Sequence, residues 1–228
     1  MIEVESIRPD WSGEPAIVAA PGPSLTPEVV RRLRFARWMA GWRVLAVQDS
    51  YKVMPWADAL YGCDPHWWAI HRDCDKFAGE KWSTHEFAGG REQHINDKTE
   101  AAKRYGLHLV RGRDGESFSL DPSTIHYGSN SGFQAIGLAL LKGCKRIVLV
   151  GFDMRRVGGK SHFFGEHPPE FGAPPDYARF LPAFDRAAKL LPADVEIINA
   201  TPRSALRCFP AMALDDALAV GVLAGRLI

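Results

Sequence analysis

The stretch "SHFFGEH" sets His162, Glu166 and His167 close together. An imidazole changes charge near neutral pH, so a positioned histidine can take the proton of an attacking hydroxyl, and a carboxylate can do the same. The stretch lies within residues 155–176, "RRVGGKSHFFGEHPPEFGAPPD", a Gly- and Pro-rich run with the length of a lid or binding loop. Its glycines would let it hinge over a ligand. The competing reading is a surface loop whose histidines do no chemistry. His162, His167 and Asp153 lack the spacing of a metal-ligand set, so no metal site is assigned.

Two other stretches offer bare backbone. "PGPS" supplies Gly22, Pro23 and Ser24; "YGSNSG" supplies Asn130, Ser131 and Gly132. Each precedes a predicted helix, whose free N–H groups and positive dipole end suit a phosphate. Ser131 reads as a helix cap, with Gln134 completing a capping box. The alternative is that Gly128 and Gly132 simply permit tight packing of helix on sheet.

The elements that would position these residues alternate. "AIVAA" (16–20) is a strand, and Thr26 and Pro27 open a helix through "TPEVVRRLRFARWM". "VLAV" (44–47) and "ADALYG" (57–62) are further strands. Asn96 precedes a helix that stops at Gly106, and "LHLV" (107–110) is a strand. The helix opened by "SNSG" runs to about Lys142 with Gly143 as its stop. "RIVLV", the helix "PDYARFLPAFDRAAKLL", the strand "VEIINA" and a closing helix follow. This order predicts one α/β domain over 1–228, a Rossmann-like, mainly parallel sheet with helices on both faces. Ligands of such sheets bind beyond the carboxyl ends of the strands. That rim would hold Pro21 to Ser24, Gln48, Asp49, Asp64, Asp153 and Asn199 to Arg203, with Arg203 placed to meet a phosphate.

Composition narrows the class. The 228 residues are 46% hydrophobic and 24% charged with a net charge of +1. A soluble globular protein is expected, with no bulk attraction to nucleic acid or to acidic membranes. No signal peptide or membrane span is read from the sequence. Cys63, Cys74, Cys144 and Cys208 never form C-x-x-C, which points to reduced thiols and a cytoplasmic location. Trp38 and Trp42 read as core. Trp67 and Trp68 are adjacent, so one is expected to be exposed. It would stack on an acceptor, pack plainly, or sit at a subunit interface that would make the protein a homo-oligomer. Lys142, Lys145 and Arg146 read as a solvated turn.

These blocks, in this order, resemble a known group. "AAPGPSL" is similar to the "GNGPSL" opening of the bacterial CMP-sialic-acid-dependent sialyltransferases. "NSGFQAIGLALLKGCKRIVLVGFDM", "SHFFGEH" and "INATPRSAL" resemble that family's later blocks. The wider set includes motility accessory factors, hydroxymethylpterin pyrophosphokinases and phage proteins. The phage set is most similar in "PWADALYGCDPHWW" and "HFFGEHPPE". The resemblance implies a transferase that takes a glycosyl group from a nucleotide-activated donor, with the acceptor open. Gln48 and Asp64 stand where the family's asparagines read the nucleotide, and Ser131 keeps the serine of "TSG". The family's general-base histidine falls on Glu166, or on His167 with a one-residue shift. The kinase-like branch implies the alternative, in which Asp49, Asp64 and Asp153 would hold Mg²⁺ beside a triphosphate. A third reading is a phage or bacterial binding protein that keeps the nucleotide fold without catalysis.

Overall fold

Short, fully apolar runs alternate with amphipathic ones, and the chain layers them accordingly. The computed structural model describes residues 4–71, 74, 76–85, 100, 102–168 and 174–223. The strands are β1 (Ala16–Ala19), β2 (Arg43–Val47), β3 (Ala59–Tyr61), β4 (Glu80–Thr84), β5 (Leu107–Arg113), β6 (Thr124–His126), β7 (Arg146–Val150) and β8 (Glu196–Asn199). They form one sheet in the order β6-β5-β4-β3-β2-β1-β7-β8, and every pairing is parallel. Central strands are buried on both faces, which is why β1 and β7 read as continuous apolar runs and not as alternation.

Successive side chains of β1 serve opposite cores. Ala16 and Val18 join the cluster built with α3 (Ser131–Leu141) and α4 (Tyr177–Lys189). Ile17 and Ala19 join the cluster built with α1 (Pro27–Ala40), α2 (Pro65–Ile70) and α5 (Leu214–Leu223). Thr26 caps α1 as expected, its side chain accepting from the N–H of Val29. The chain leaves β1 towards β6, returns through α3 and adds β7 to the other side of β1. The strand order therefore reverses between β1 and β7, the position at which a crevice opens in sheets of this kind.

Two strands escape a pattern search. β4 ("EKWST") buries Ser83 and Thr84, and β6 ("TIH") has three residues. Neither carries the apolar run that marks the others. Asn96, the expected cap of the helix before Gly106, lies outside the described residues; residues 102–105 are helical and Gly106 takes a positive φ of 64°.

Three expectations about large side chains are corrected. Trp38 is 78% exposed, because its position on α1 faces away from the sheet; Trp42, at the entry to β2, is buried. Trp67 and Trp68 are both buried, meeting edge to face at 4.9 Å. A short helix tucked under a loop can bury two faces. Lys142 is not solvated: it is 1% exposed. Its Nζ lies 2.9 Å from Asp10 Oδ1 and 2.9 Å from Glu80 Oε2, and sits over the rings of Trp11 and Trp82.

Lys142 fastens an N-terminal strap. The N–H groups of Glu5, Ile7 and Trp11 donate to the carbonyls of Leu109, Pro122 and Lys142, tying residues near the start of the chain to β5, to the turn before β6 and to the end of α3. Removing the ammonium leaves two carboxylates without their cation and two rings without a filler. Lys142→Ala should lower unfolding free energy in urea by about 3 kcal/mol, and Lys142→Met, which keeps the stem, should recover part of that loss.

Candidate functional site

Beyond the switch point the chain crosses itself with no room to spare. The Gly22 N–H donates to the Gly151 carbonyl at 3.0 Å. A Cβ on Gly22 would lie 2.2 Å from Asp153 Oδ2 and from the Gly151 oxygen, and one on Gly151 would lie 2.0 Å from the Ala20 oxygen. Gly151 also has φ +74°. Asp153, 3% exposed, locks the crossing: its Oδ2 accepts from the Ser24 N–H at 3.2 Å and the Ser24 hydroxyl at 2.8 Å. Burial pushes the Asp153 carboxyl above its ordinary range against those donors. The Phe152 N–H is taken by Thr201 Oγ1, and the Asp153 carbonyl by the Ala205 N–H, so the segment after β8 braces the one after β7.

A cleft of about 310 Å³ opens over this crossing. Among the sequence-predicted residues it is lined by Gly22, Gln48, Asp64, Asn130, Ser131 and Gly132, with Asp153, His162 and His167. Pro23, Ser24, Asp49, Glu166 and Arg203 are not on its lining. Arg203 belongs instead to a neighbouring cavity with Arg207, and its carbonyl accepts from Arg155 Nε. Among the described residues its lining includes no Lys or Arg.

The α3 N-terminus faces this space. Asn130 is its cap, its Oδ1 accepting from the Phe133 N–H at 2.9 Å. This corrects the expected capping box. Ser131 is the first helical residue, and Gln134 turns inward to accept from Tyr61 Oη at 2.6 Å and donate to the Tyr127 carbonyl at 2.8 Å. Buried between two strands and a turn, Gln134 fixes the helix rather than capping it. The first N–H groups of a helix have no intrahelical partner, and Ser131 and Gly132, which carry two of them, line the cleft. "PGPS" differs: the donors of Gly22 and Ser24 are spent on Gly151 and Asp153.

Backbone strain gathers here as well. Four non-glycine residues among those described have positive φ: Gln48, Ser129, Met154 and Arg203. The first three line the cleft. Left-handed conformations cost non-glycine residues on the order of 1–3 kcal/mol and concentrate at binding and catalytic sites.

The lid expectation is changed in part. Residues 155–168 are not structureless: Val157 bridges Lys160, and His162 bridges Gly165. The Phe163 N–H donates to the Pro21 carbonyl at 2.9 Å, pinning the loop beside β1. Glu166 serves the loop itself, accepting from the Ser161 N–H at 2.8 Å and from Arg156 at 3.1 Å. Desolvation opposes its charge, but those hydrogen bonds hold it below the ordinary carboxylate range. Residues 169–173 lie outside the described set.

His162 and His167 face each other at 4.5 Å between ring centroids. Burial, then the neighbouring His167, lowers the pKa of His162 to about 4; burial also lowers that of His167. His162 Nδ1 is sealed from solvent without a hydrogen-bond partner among the described residues. Beneath them Asp49, 1% exposed, accepts from Lys52, Trp67 and His71 at 2.7, 2.8 and 3.0 Å. Burial opposes its charge, yet these donors hold its carboxyl far below the usual range. Asp49 is thus a buttress under the cleft. Asp64 both lines the cleft and caps α2, accepting from the His66 N–H at 2.8 Å.

Sequence reading missed Cys63, Tyr177 and Phe180 on the cleft wall. Cys63 follows β3 directly, and Ser131 Oγ donates to its sulfur at 3.0 Å. Its position past a strand end was a usable signal; Tyr177 and Phe180 gave none, because they arrive from a helix on another layer. Among the described residues no cluster of three His, Cys, Asp or Glu side chains is arranged to hold a metal, and no helix is long and apolar enough to cross a membrane.

The fold and this rim define the class: an α/β, Rossmann-like parallel sheet with a cleft at its switch point. No protein-family model matches the chain, and no curated protein matches it significantly.

Two outcomes follow from the crossing and the histidines. Gly151→Ala should lower unfolding free energy by about 3 kcal/mol, the sum of a left-handed φ and an overlap with Ala20, read in urea. A histidine whose folded pKa lies below its unfolded value of about 6.5 stabilises fully above that pH, and the contribution is lost as pH falls towards about 4. Asp49 and Glu166, lowered carboxylates, add their losses only further into acid. Stability measured from pH ~7 to ~4 should therefore fall, and His162→Asn should flatten that fall.

Proposed function

We propose that the cleft binds a nucleotide-activated donor and that the protein is a transferase acting on it, with a glycosyl group as the transferred unit. The observation that carries this reading is the convergence, at the switch point, of the free N–H groups of α3 with three strained non-glycine residues. A helix N-terminus supplies phosphate with donors and dipole without a buried cation, which suits a wall whose described residues include no Lys or Arg. Asp64 and Gln48, past β3 and β2, line the cleft, and in this reading they meet ribose hydroxyls or a base edge. The resemblance of "PGPSL", "NSG" and "SHFFGEH" to the sialyltransferase-like group supports the same reading.

In this mechanism the acceptor hydroxyl is deprotonated from the loop side. His162 and His167 line the cleft and are held neutral, so either can accept a proton at pH 7. Glu166, exposed and engaged with Ser161 and Arg156, is the weaker candidate. Asp153 acts through the backbone by holding Ser24, and is a positioning residue.

The test is a thermal-shift screen of nucleotides and nucleotide sugars, with and without Mg²⁺, followed by release of nucleotide from the sugar that stabilises most. A ligand specific to the folded state raises Tm. His162→Ala should lower the release rate ~10²–10⁴-fold with nucleotide affinity kept, and His167→Ala is its comparison. Turnover that survives chelation supports glycosyl transfer; strict dependence on Mg²⁺ with a triphosphate supports diphosphoryl transfer instead. A chain that no nucleotide stabilises overturns both.

A further inference from the structure

The outer face of α1 sets large apolar side chains among its arginines, where a helix covering a sheet is ordinarily polar. Phe35 is 61% exposed, Trp38 78% and Met39 53%. Phe35 and Trp38 meet edge to face with centroids 6.5 Å apart. Beside them a groove of about 520 Å³ runs between α1 and α5, with Ala36, Met39 and Trp42 on one side and Leu218 on the other. Exposed aromatic patches of this kind mark contact surfaces.

The face is complementary to itself. A projecting indole and an apolar groove lie side by side on one helix, so a two-fold axis across α1 would send Trp38 of each copy into the groove of the other. The charges agree. Arg32 bridges to Asp215 at 3.0 Å across the groove mouth. Arg34, one turn before Trp38, and Asp216, beside Asp215, are exposed, opposite in sign and without an ion-pair partner among the described residues. A two-fold pairing would set Arg34 of one copy against Asp216 of the other. Trp38 lies towards the far end of α1 from the strand-end rim, so the pairing leaves the cleft open.

We infer that this face joins two copies of the chain, with Trp38 as the anchor and the Arg34–Asp216 pairs at its edges. Sedimentation velocity and light scattering on the full chain at micromolar concentration should give twice the monomer mass of 25.3 kDa. Trp38→Ala should weaken the dimer on the order of 30-fold, as for an interface tryptophan, without altering the circular dichroism spectrum, since the side chain is 78% exposed in the monomer. Arg34→Glu should weaken it on the order of 10-fold, and adding Asp216→Arg should restore it. A wild-type monomer overturns the inference, as does a dimer indifferent to Trp38→Ala or a double charge reversal that restores nothing. A monomer in which Trp38 fluorescence shifts when residues 224–228 are deleted would assign the groove to the chain's own end. Trp38-dependent capture by lipid vesicles would assign it to a membrane. Either result overturns the inference.

Discussion

The rim of this protein depends on how closely the chain passes itself beyond β1 and β7. With glycine at 22 and 151, two backbones approach until an N–H meets a carbonyl and no side-chain carbon fits between them. Asp153 closes the crossing through Ser24, and the segment after β8 holds it from outside through Thr201 and Ala205. The cleft floor is consequently backbone, rigid and narrow. Gly22 of "PGPS" thus serves the fold, and the helix-end donors on the cleft lining come from α3.

The acids of the rim have different surroundings and different work. Asp49 is buried among three donors and stays ionised, forming a charged post under the loop that carries His162 and His167. Asp153 is buried against the Ser24 N–H and hydroxyl, and burial outweighs these donors, so its carboxyl is pushed up. Asp64 lies on the cleft wall and caps a helix. The two histidines share a desolvated pocket wall, which keeps both neutral and makes the loop-side wall uncharged at pH 7. A neutral wall above a helix N-terminus suits a ligand with an anionic end and a polar, uncharged end.

Much of the architecture was legible because buried parallel strands announce themselves. "AIVAA" and "VLAV" carry no polar residue and "RIVLV" only its leading Arg146, and Thr26-Pro27 marks a helix start by covalent geometry. β4 was hidden because its buried Ser83 and Thr84 break the apolar run, and β6 because it is only three residues long. The convergence of strand-end residues followed from topology alone: Pro21, Gly22, Gln48, Asp64 and Asp153 line one cleft. Side-chain environment was harder to read. Lys142 looks like any helix-terminal lysine until Asp10, Trp11, Glu80 and Trp82 arrive from distant parts of the chain. Trp38 looks like core until the helix is docked and its position turns outward. Gln134 matches a capping box by spacing, but its partners Tyr61 and Tyr127 are supplied by the sheet.

The strap over residues 5–11 bears on how the molecule is made. Its partners are Leu109, Pro122 and Lys142, so Trp11 has its anchor only once the end of α3 has left the ribosome. β1 is in the same position on one side, since its neighbour β7 is made after α3. Until then Trp11 lacks that anchor, and the half-sheet β1–β6 has an uncovered edge. Vectorial synthesis therefore leaves a window in which the nascent chain offers an apolar segment and a bare strand edge together, the kind of surface a ribosome-bound chaperone shields. Closing the switch point ends that window and creates the cleft in the same event, so the emergence of β7 sets when the site can first exist.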